Sequence, residues 1–565
     1  MSLYGTLNVG KSALAVTQAA IQTHGNNIAN AGNADHTRQA VNTSPTKGSR
    51  VGTDSIVGNG IQLEGVERQI DNALLLRLNA TAGEAASATE LATWLEQVET
   101  SFNELGDSDL SSSLTDFFNR WSELSADPSN ADLRRNVISA GGTAAGRFND
   151  VASRLGTIRR DAGDRIATFA KDADALSKQI ADLNVQIVRS EGGGALGSAN
   201  ALRDRRDGLV KELSGLVNLN VREQKDGSLN VYVGSELLVQ AGSSRGMSVR
   251  QTIDPDTQAT TLEAVFNDGS PVNARAGQLA GVGSAYEKID TTLARIDALA
   301  QSLKFEVNKL HAAGQGAAGH SSVTAEVAVA DSSVGLDTLE WGHGPQNGSF
   351  EVHLRDAATG RFTSTIIDVN LDGTAASTSL DDVASDINSI TGVSASVVDG
   401  KLVVSADAKG QEVTFANDSS HLLAAINVGG FFTGGGAQDL AVSNVLKNDP
   451  MKLAAATDDT AGNGDNAKAI ADLLDRKHAD LGGMTTLGAL EGIVFDVSTS
   501  IRAARSDGEA ASAIVDTLEA QRQAVSGVSL DEEAVKLMQY QRSYQGAARL
   551  IAAVDEMMQT LLQLV

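Results

Sequence analysis

The chain has 565 residues, 41% of them apolar and 21% charged, and 45 Lys and Arg face 71 Asp and Glu for a net charge of −26. That length supports several separate cores, and so acidic a surface repels nucleic acid and anionic membranes. The absence of cysteine excludes disulfides, thiol catalysis and Cys-based zinc sites.

The N-terminus lacks a basic segment followed by an unbroken apolar run, because Gly10 and Lys11 interrupt it. No cleaved secretory signal is expected there. No apolar run approaches the roughly 20 residues of a membrane span. Leu7, Leu14, Ile21 and Ile28 stand seven apart, with Leu3 four before the first, and predict a helix whose seam packs on another helix. That helix runs into the Asn-rich stretch HGNNIANAGNADHTRQAVN, His24 to Asn42.

Long helices follow. The apolar period from Leu133 through Phe148, Ile166 and Ile180 to Ile187 predicts a helix of about 55 residues, roughly 80 Å long. Residues 217–273 read as strands, with Asp226-Gly227 and Asp268-Gly269 as hairpin turns. Another helix spans Ile289 to Leu310. Residues 321–428 are rich in Thr, Val and Gly and give further strands around one amphipathic piece, SLDDVASDINSI. A third helix covers Val494 to Leu518. The chain then closes on Leu537, Tyr540, Tyr544, Ala547, Ile551, Val554, Met558, Leu561 and Val565, a heptad stripe with a capping-box signature, Ser529 and Glu532, at its start.

The expected fold class is α+β, multidomain and elongated. Residues 1–50 with 526–565 form a terminal coiled coil. Residues 51–320 with 429–525 form a long-helix rod carrying a small β-subdomain at about 217–273, and 321–428 form a β-rich outer domain. Both terminal segments carry little charge away from their seams: Lys11 alone in 1–34, and Arg549, Asp555 and Glu556 in 543–565. A free surface helix is usually laced with Glu and Lys pairs, so these faces suggest coverage by neighbouring subunits.

Catalytic motifs are wanting. Gly192, Gly194 and Gly197 follow a helix rather than a strand, against a dinucleotide loop. Asp368, Asn370, Asp372 and Gly373 copy half a calcium loop, but Ser379 stands where its bidentate Glu belongs, leaving only Asp381 and Asp382 to complete a weak site. The eight histidines form no ligand pair, and no nucleophile turn occurs. No enzyme, metal or cofactor is expected. The loop WGHGPQNG is a place to look for carbohydrate binding.

The segment GNNIANAGNADHTRQAVN resembles the N-terminal signature of bacterial flagellar rod, hook and hook-associated proteins, matching at Asn26, Asn27, Ile28, Ala29, Asn30, Thr37, Arg38 and Gln39. Asp35-His36 stands where that family usually has Gly-Tyr. The block SANALRDRRDGLVKELSGLVNLNVREQKDGSLNVYVGSELLVQAG, Ser198 to Gly242, narrows the resemblance to the hook-associated branch. So do FFTGGGAQDLAVSNVLKNDPMKLAAAT and the C-terminal helix. The middle strands resemble small β-inserts of flagellins.

The resemblance implies a structural adaptor between hook and filament, outside the cell, exported unfolded by the flagellar type III apparatus. Its termini would order on assembly. Implied partners are further copies of the chain, hook protein, a second junction protein (hook-associated protein type 3) and an export chaperone holding the C-terminal helix. The expected assembly residues are Leu7, Leu14, Ile21, Asn26, Asn27, Ile28, Asn30, Arg38, Tyr540, Tyr544, Ile551, Met558 and Leu561. The Asn cluster is expected to end its helix in the left-handed conformation and to satisfy backbone groups without a charge. Rival readings are hook protein, flagellin, a scaffold displaying an adhesin or carbohydrate-binding domain, and a fused wall hydrolase.

Overall fold

The structure is a computed structural model describing residues 3–51, 55–102, 109–192, 198–253, 260–371, 377–458, 460 and 462–563. In chain order, α1 (Leu3–Ala29) leads into β1 (Gln39–Pro45), β2 (Ser49–Val51), β3 (Ser55–Val57) and β4 (Ile61–Arg68). Helices α2 (Asn72–Phe102), α3 (Leu110–Ala126), α4 (Ala131–Glu191) and α5 (Asn200–Leu216) follow. Then come β5 (Leu219–Glu223), β6 (Leu229–Val233), β7 (Glu236–Gln240), β8 (Ser243–Ser244), β9 (Met247–Ile253), β10 (Thr260–Phe266) and α6 (Gln278–Ala313).

The next stretch holds β11 (Ser322–Thr324), β12 (Gly348–Asp356), β13 (Phe362–Val369), α7 (Leu380–Asn388), β14 (Val393–Val398), β15 (Lys401–Ala406) and β16 (Gln411–Ala416). Short α8 (Leu422–Ala425), β17 (Phe432–Thr433), β18 (Ala441–Val442), α9 (Asn444–Asn448) and α10 (Asp465–Ala471) precede the long α11 (Thr486–Ser526) and α12 (Leu530–Gln563). The protein is α+β and multidomain. Two compact units share the chain: Met1–Trp94, Asp161–Tyr286 and Ile501–Val565 make the first, Leu95–Arg160 and Glu287–Ser500 the second.

In the first unit α1 lies antiparallel along α12, with His24 beside Glu533 and Gly10 beside Ile551. Strands β1 and β4 pair antiparallel, with an irregularity after Asn42, and pack on α1. Strands β5 to β8 form a meander that Asn184 of α4 pins in place. Its amide donates to the carbonyls of Leu229 (2.8 Å) and Ala241 (2.7 Å) and accepts from the Leu229 N–H (2.9 Å). The Asp226-Gly227 turn forms as expected, Gly227 taking φ +83°.

The second unit centres on Phe117, Phe118 and Trp121 of α3, packed with Phe431 and Phe432. Helix α4 crosses this cluster at Gly141, where a side chain would collide with the Phe431 ring. The middle strands form two three-stranded sheets, β13-β12-β16 and β11-β15-β14. They share a core with α7 that includes Leu336, Phe350, Val352, Leu380, Val383, Ile387 and Val404.

The expected long helix is real and extends further, to 61 residues. Helices α2 and α3 and the hairpin of β1 with β4 were not anticipated. In α2 an Ala-rich stretch, 79–89, separates the buried Leu74 and Leu78 from the buried Trp94, Leu95, Val98 and Phe102, so no single apolar period runs through the helix.

Candidate functional site

The expected seam residues Leu7, Leu14, Ile21 and Ile28 are all half-buried and form one row of the α1 contact. The fully buried residues lie beside them: Gly10, Val16, Thr17, Ala20, Thr23, His24 and Asn27. Three of these, Gly10, Thr17 and His24, alternate with the leucine row at heptad spacing. They are small or polar, so a search for apolar periodicity passes over them.

On α12 only Glu533, Ala547 and Val554 are fully buried. Leu537, Tyr540, Ile551 and Met558 are half-buried, while Tyr544 (39%) and Leu561 (51%) are exposed. The predicted heptad is therefore only partly an internal seam.

A buried polar joint closes the open end of this pair. Glu533, fully inaccessible, accepts from His24 Nδ1 (2.5 Å), Asn27 Nδ2 (2.9 Å) and Arg38 Nε (2.9 Å). Burial alone would push the Glu533 carboxyl up. The hydrogen bonds from Asn27 and His24, with the charges of His24 and Arg38, outweigh it and hold the group below the usual carboxylate range. The His24 ring stacks on Tyr540 at 5.2 Å.

Asn27 is the second hub. Its Nδ2 donates to the Gln39 carbonyl (2.9 Å), and its Oδ1 accepts from the Gln39 N–H (3.1 Å) and from His36 Nε2 (3.3 Å). Asn30 folds back on Asn26, its Nδ2 donating to that residue's carbonyl and side chain. None of these asparagines has positive φ, so the left-handed helix ending is corrected. Asn27 acts inside α1, as an uncharged match for the backbone of β1.

The capping box at Ser529 is corrected too. Ser529 Oγ accepts only a long bond, 3.5 Å, from the Glu532 N–H, and the Glu532 carboxylate pairs with Arg38 at 3.0 Å instead. Arg38 also ties down the turn before α12, its N–H reaching the Ser526 carbonyl at 2.9 Å.

The block from Ser198 meets the same joint through α5. Asp204 accepts from Arg68 at 3.0 Å and from the Thr37 N–H at 3.4 Å, and lies 3.6 Å from His36 Nδ1. Asp207 shares Arg68 at 2.7 Å. Arg206, buried, donates to Asn184 (3.0 Å) and to the Gly227 carbonyl (2.8 Å), and Arg203 pairs with Glu191 at 2.8 Å and with Glu223. The sequence marks this block without showing its role, because Asp204 and Arg206 also bind Thr37, Arg68 and Asn184, which lie outside it. A cavity of about 290 Å³ adjoins the joint, walled by Leu75, Leu78 and Val210 and edged by Asp35, Arg68 and Asp207.

The remaining motifs have structural uses. Gly192 ends α4, and Gly194 and Gly197 lie outside the described residues, as do Asp372 and Gly373 of the calcium pattern. Asp382 is committed to a capping box with Ser379 at the start of α7. Among the described residues no group of three or more His, Asp or Glu is placed to hold a metal, and no helix is long and apolar enough to cross a membrane. The loop WGHGPQNG is tied down: Trp341 donates to the Leu336 carbonyl (2.8 Å), and His343 stacks on Phe305 and pairs with Asp480 (3.0 Å).

Comparison with known proteins places this joint in context. Residues 95–324 match the helical domain of flagellar hook-associated protein FlgK, 519–564 the flagellar basal body rod FlgEFG protein C-terminal model, and 359–408 the flagellin hook IN motif. Flagellar hook-associated protein 1 of Escherichia coli K12 is 26% identical over 99% of both chains. The chain is similar to flagellar hook-associated protein 1 along almost its whole length.

The Salmonella typhimurium hook-associated protein 1 is 27% identical over 99% of both chains. That of Bacillus subtilis is 32% identical over 40% of this chain and 45% of its own. The fold is similar to that of a flagellar hook junction protein from Burkholderia pseudomallei, with TM-score 0.50 and 15% identity over 80% of this chain and all of that one. The protein is an axial structural component of the bacterial flagellum. The IN motif falls on β13, α7, β14 and β15, in keeping with the insert read from the sequence.

Proposed function

We propose that this protein joins hook to filament, assembling at the hook tip through the outer faces of α1 and α12. The observation that supports the reading most is the outward row of α12, Gly546, Leu550, Ala553, Met557 and Leu561, all exposed and with no charge among them. The outer row of α1, Tyr4, Asn8, Lys11, Ala15, Gln18, Gln22 and Asn26, carries one charge. An acidic chain that turns an uncharged row of α12 and a nearly uncharged row of α1 to solvent is built for contact along those rows.

On this reading Leu561 and Tyr544 face neighbouring copies. Leu7, Leu14, Ile21, Ile28, Tyr540, Ile551 and Met558 serve the pairing within one chain and the edge of the contact, and Asn26, Asn27, Asn30 and Arg38 hold the joint that orients both helices. The terminal pair, 1–50 with 526–565, is the assembly layer, the long helices with 51–320 and 429–525 are the shaft, and 321–428 is an outer domain. The partners are other copies, hook protein, hook-associated protein type 3 and an export chaperone. The protein leaves the cell by the flagellar type III route, acts outside it, and has no catalytic role.

The test is to mix purified protein carrying an epitope tag within the 321–428 domain with isolated hooks and locate it by immunogold microscopy. Label at the distal hook end supports the proposal. Absence of binding, or label scattered along the hook, would refute it.

A further inference from the structure

Strand β13 is the outer strand of the sheet β13-β12-β16, and no strand among the described residues pairs with its free side. The phase of the ladder is fixed at its turn, where the Asp356 N–H donates to the Arg361 carbonyl at 2.8 Å. Residues 361, 363, 365, 367 and 369 therefore bond to β12. Phe362, Ser364, Ile366 and Asp368 turn their N–H and C=O groups away from it, toward the edge. The same four side chains stand on the exposed face.

The other edges of the two middle sheets are closed or short. Along β16, His320 and Val413 exchange both main-chain bonds, at 2.9 and 2.7 Å. On β14, Asn388 accepts the Ala395 N–H at 3.2 Å, and β11 is only three residues long. Strand β13 has none of the usual guards against pairing. Its register with β12 runs unbroken over eight residues, and it carries no proline, lysine or bulge. Phe362 and Ile366 are 42% and 62% exposed, and Thr, Ile and Val favour the extended backbone.

The strand's own sequence indicates what would pair with it. Turned antiparallel about Ser364, two copies set Phe362 of each across from Ile366 of the other. Aromatic and β-branched residues make favourable cross-strand pairs. An axis through Thr365 would instead set Phe362 against Asp368 and Ile366 against Ser364. Charge points the same way. Arg361 stands just before the strand and Asp368 near its end, both exposed and without an ion pair among the described residues. Antiparallel pairing brings each toward its opposite in the second copy, whereas parallel pairing would set like beside like.

We propose that β13 is a self-pairing edge, through which two chains join antiparallel about Ser364 and merge their three-stranded sheets into one. About six main-chain hydrogen bonds form, two at Ser364 and two at each Phe362–Ile366 pair. The contact uses neither α1 nor α12, so it stands whether or not the terminal helices make the assembly contact.

The chain has no cysteine, so a single introduced one can form a disulfide only with a second copy. Full-length Ser364→Cys is oxidised beside Ala408→Cys, which lies exposed in the turn between β15 and β16, and covalent dimer is followed with time. Ser364→Cys is expected to cross-link about tenfold faster, because pairing holds its two thiols opposite one another. Adding Ile366→Lys should return it to the Ala408→Cys rate. Equal rates for the two single variants, or a fast rate that the lysine leaves unchanged, would overturn the proposal. Sedimentation of the cysteine-free chain gives a second measurement. The mean mass of Ile366→Lys should fall below that of the wild type at high concentration, and equal masses would count against β13.

Discussion

A methyl group on the Cα of Gly10 would sit 2.7 Å from Cγ1 of Ile551. The two terminal helices touch there with no room for a side chain, so glycine sets their separation. Gly10→Ala forces the Ile551 side chain or a helix to move. The cost of on the order of 1–3 kcal/mol for overpacking exceeds the helix-propensity gain of about 1 kcal/mol. Hydrogen exchange should then quicken across 3–29 and 530–563 while the Phe117 cluster keeps its protection. Unchanged exchange at the termini would show that the contact is slack.

Glu533 predicts a different pattern from its neighbour. Glu533→Gln leaves Arg38 and His24 without the buried charge they face and should destabilise the first unit by roughly 3 kcal/mol. Glu532→Gln removes an exposed partner of the same arginine and should cost about 0.5 kcal/mol or less. Because the Glu533 carboxyl is held below its ordinary range, its contribution is present above that range and lost as pH falls through the folded value. Denaturant titrations of both variants at pH 7 and in acid would check the two claims. Equal losses would remove Glu533 from its central position.

His311 gives a pH dependence of its own, within the second unit. Its Nδ1–H donates to the Gly429 carbonyl (2.8 Å) and its Nε2 accepts from the Ala454 N–H (3.1 Å), so only the neutral ring fits. Burial pushes this histidine down to about 4. Below the ordinary value of about 6.5 the unfolded chain takes up a proton that the folded one refuses. Stability is therefore complete above that value and falls progressively between about 6.5 and 4. Trp121, with its ring 6.3 Å from His311, reports the event. In a Trp94→Phe, Trp341→Phe background its fluorescence should hold steady from pH 7 to 5 and change near 4. A transition near 6.5 would mean the ring is not held neutral.

How much of this was legible beforehand differs by residue chemistry. The long α4, the turn at Asp226-Gly227 and the strands of the insert follow from periodicity and turn residues, and all are present. The buried row of α1 was not legible, because Gly10, Thr17 and His24 carry no apolar signal. The α2 helix hid because an Ala-rich stretch parts its buried Leu74 and Leu78 from Trp94, Leu95, Val98 and Phe102, and no one period spans both. The joint itself joins residues some 500 positions apart, such as Asn27 and Glu533. Nothing local marks Glu533 as buried, since it reads like any acidic residue in the first turn of a helix.

The central claim, that the outer row of α12 makes the assembly contact, is tested most directly by the double variant Leu550→Glu, Met557→Glu. Both side chains are exposed, at 37% and 47%, so the isolated chain should fold with unchanged circular dichroism and thermal midpoint. In cells lacking the native protein it should fail to support filament growth on completed hooks, where the wild type restores it. Filaments of normal number and length on such cells, with the variant present at wild-type levels, would contradict the claim.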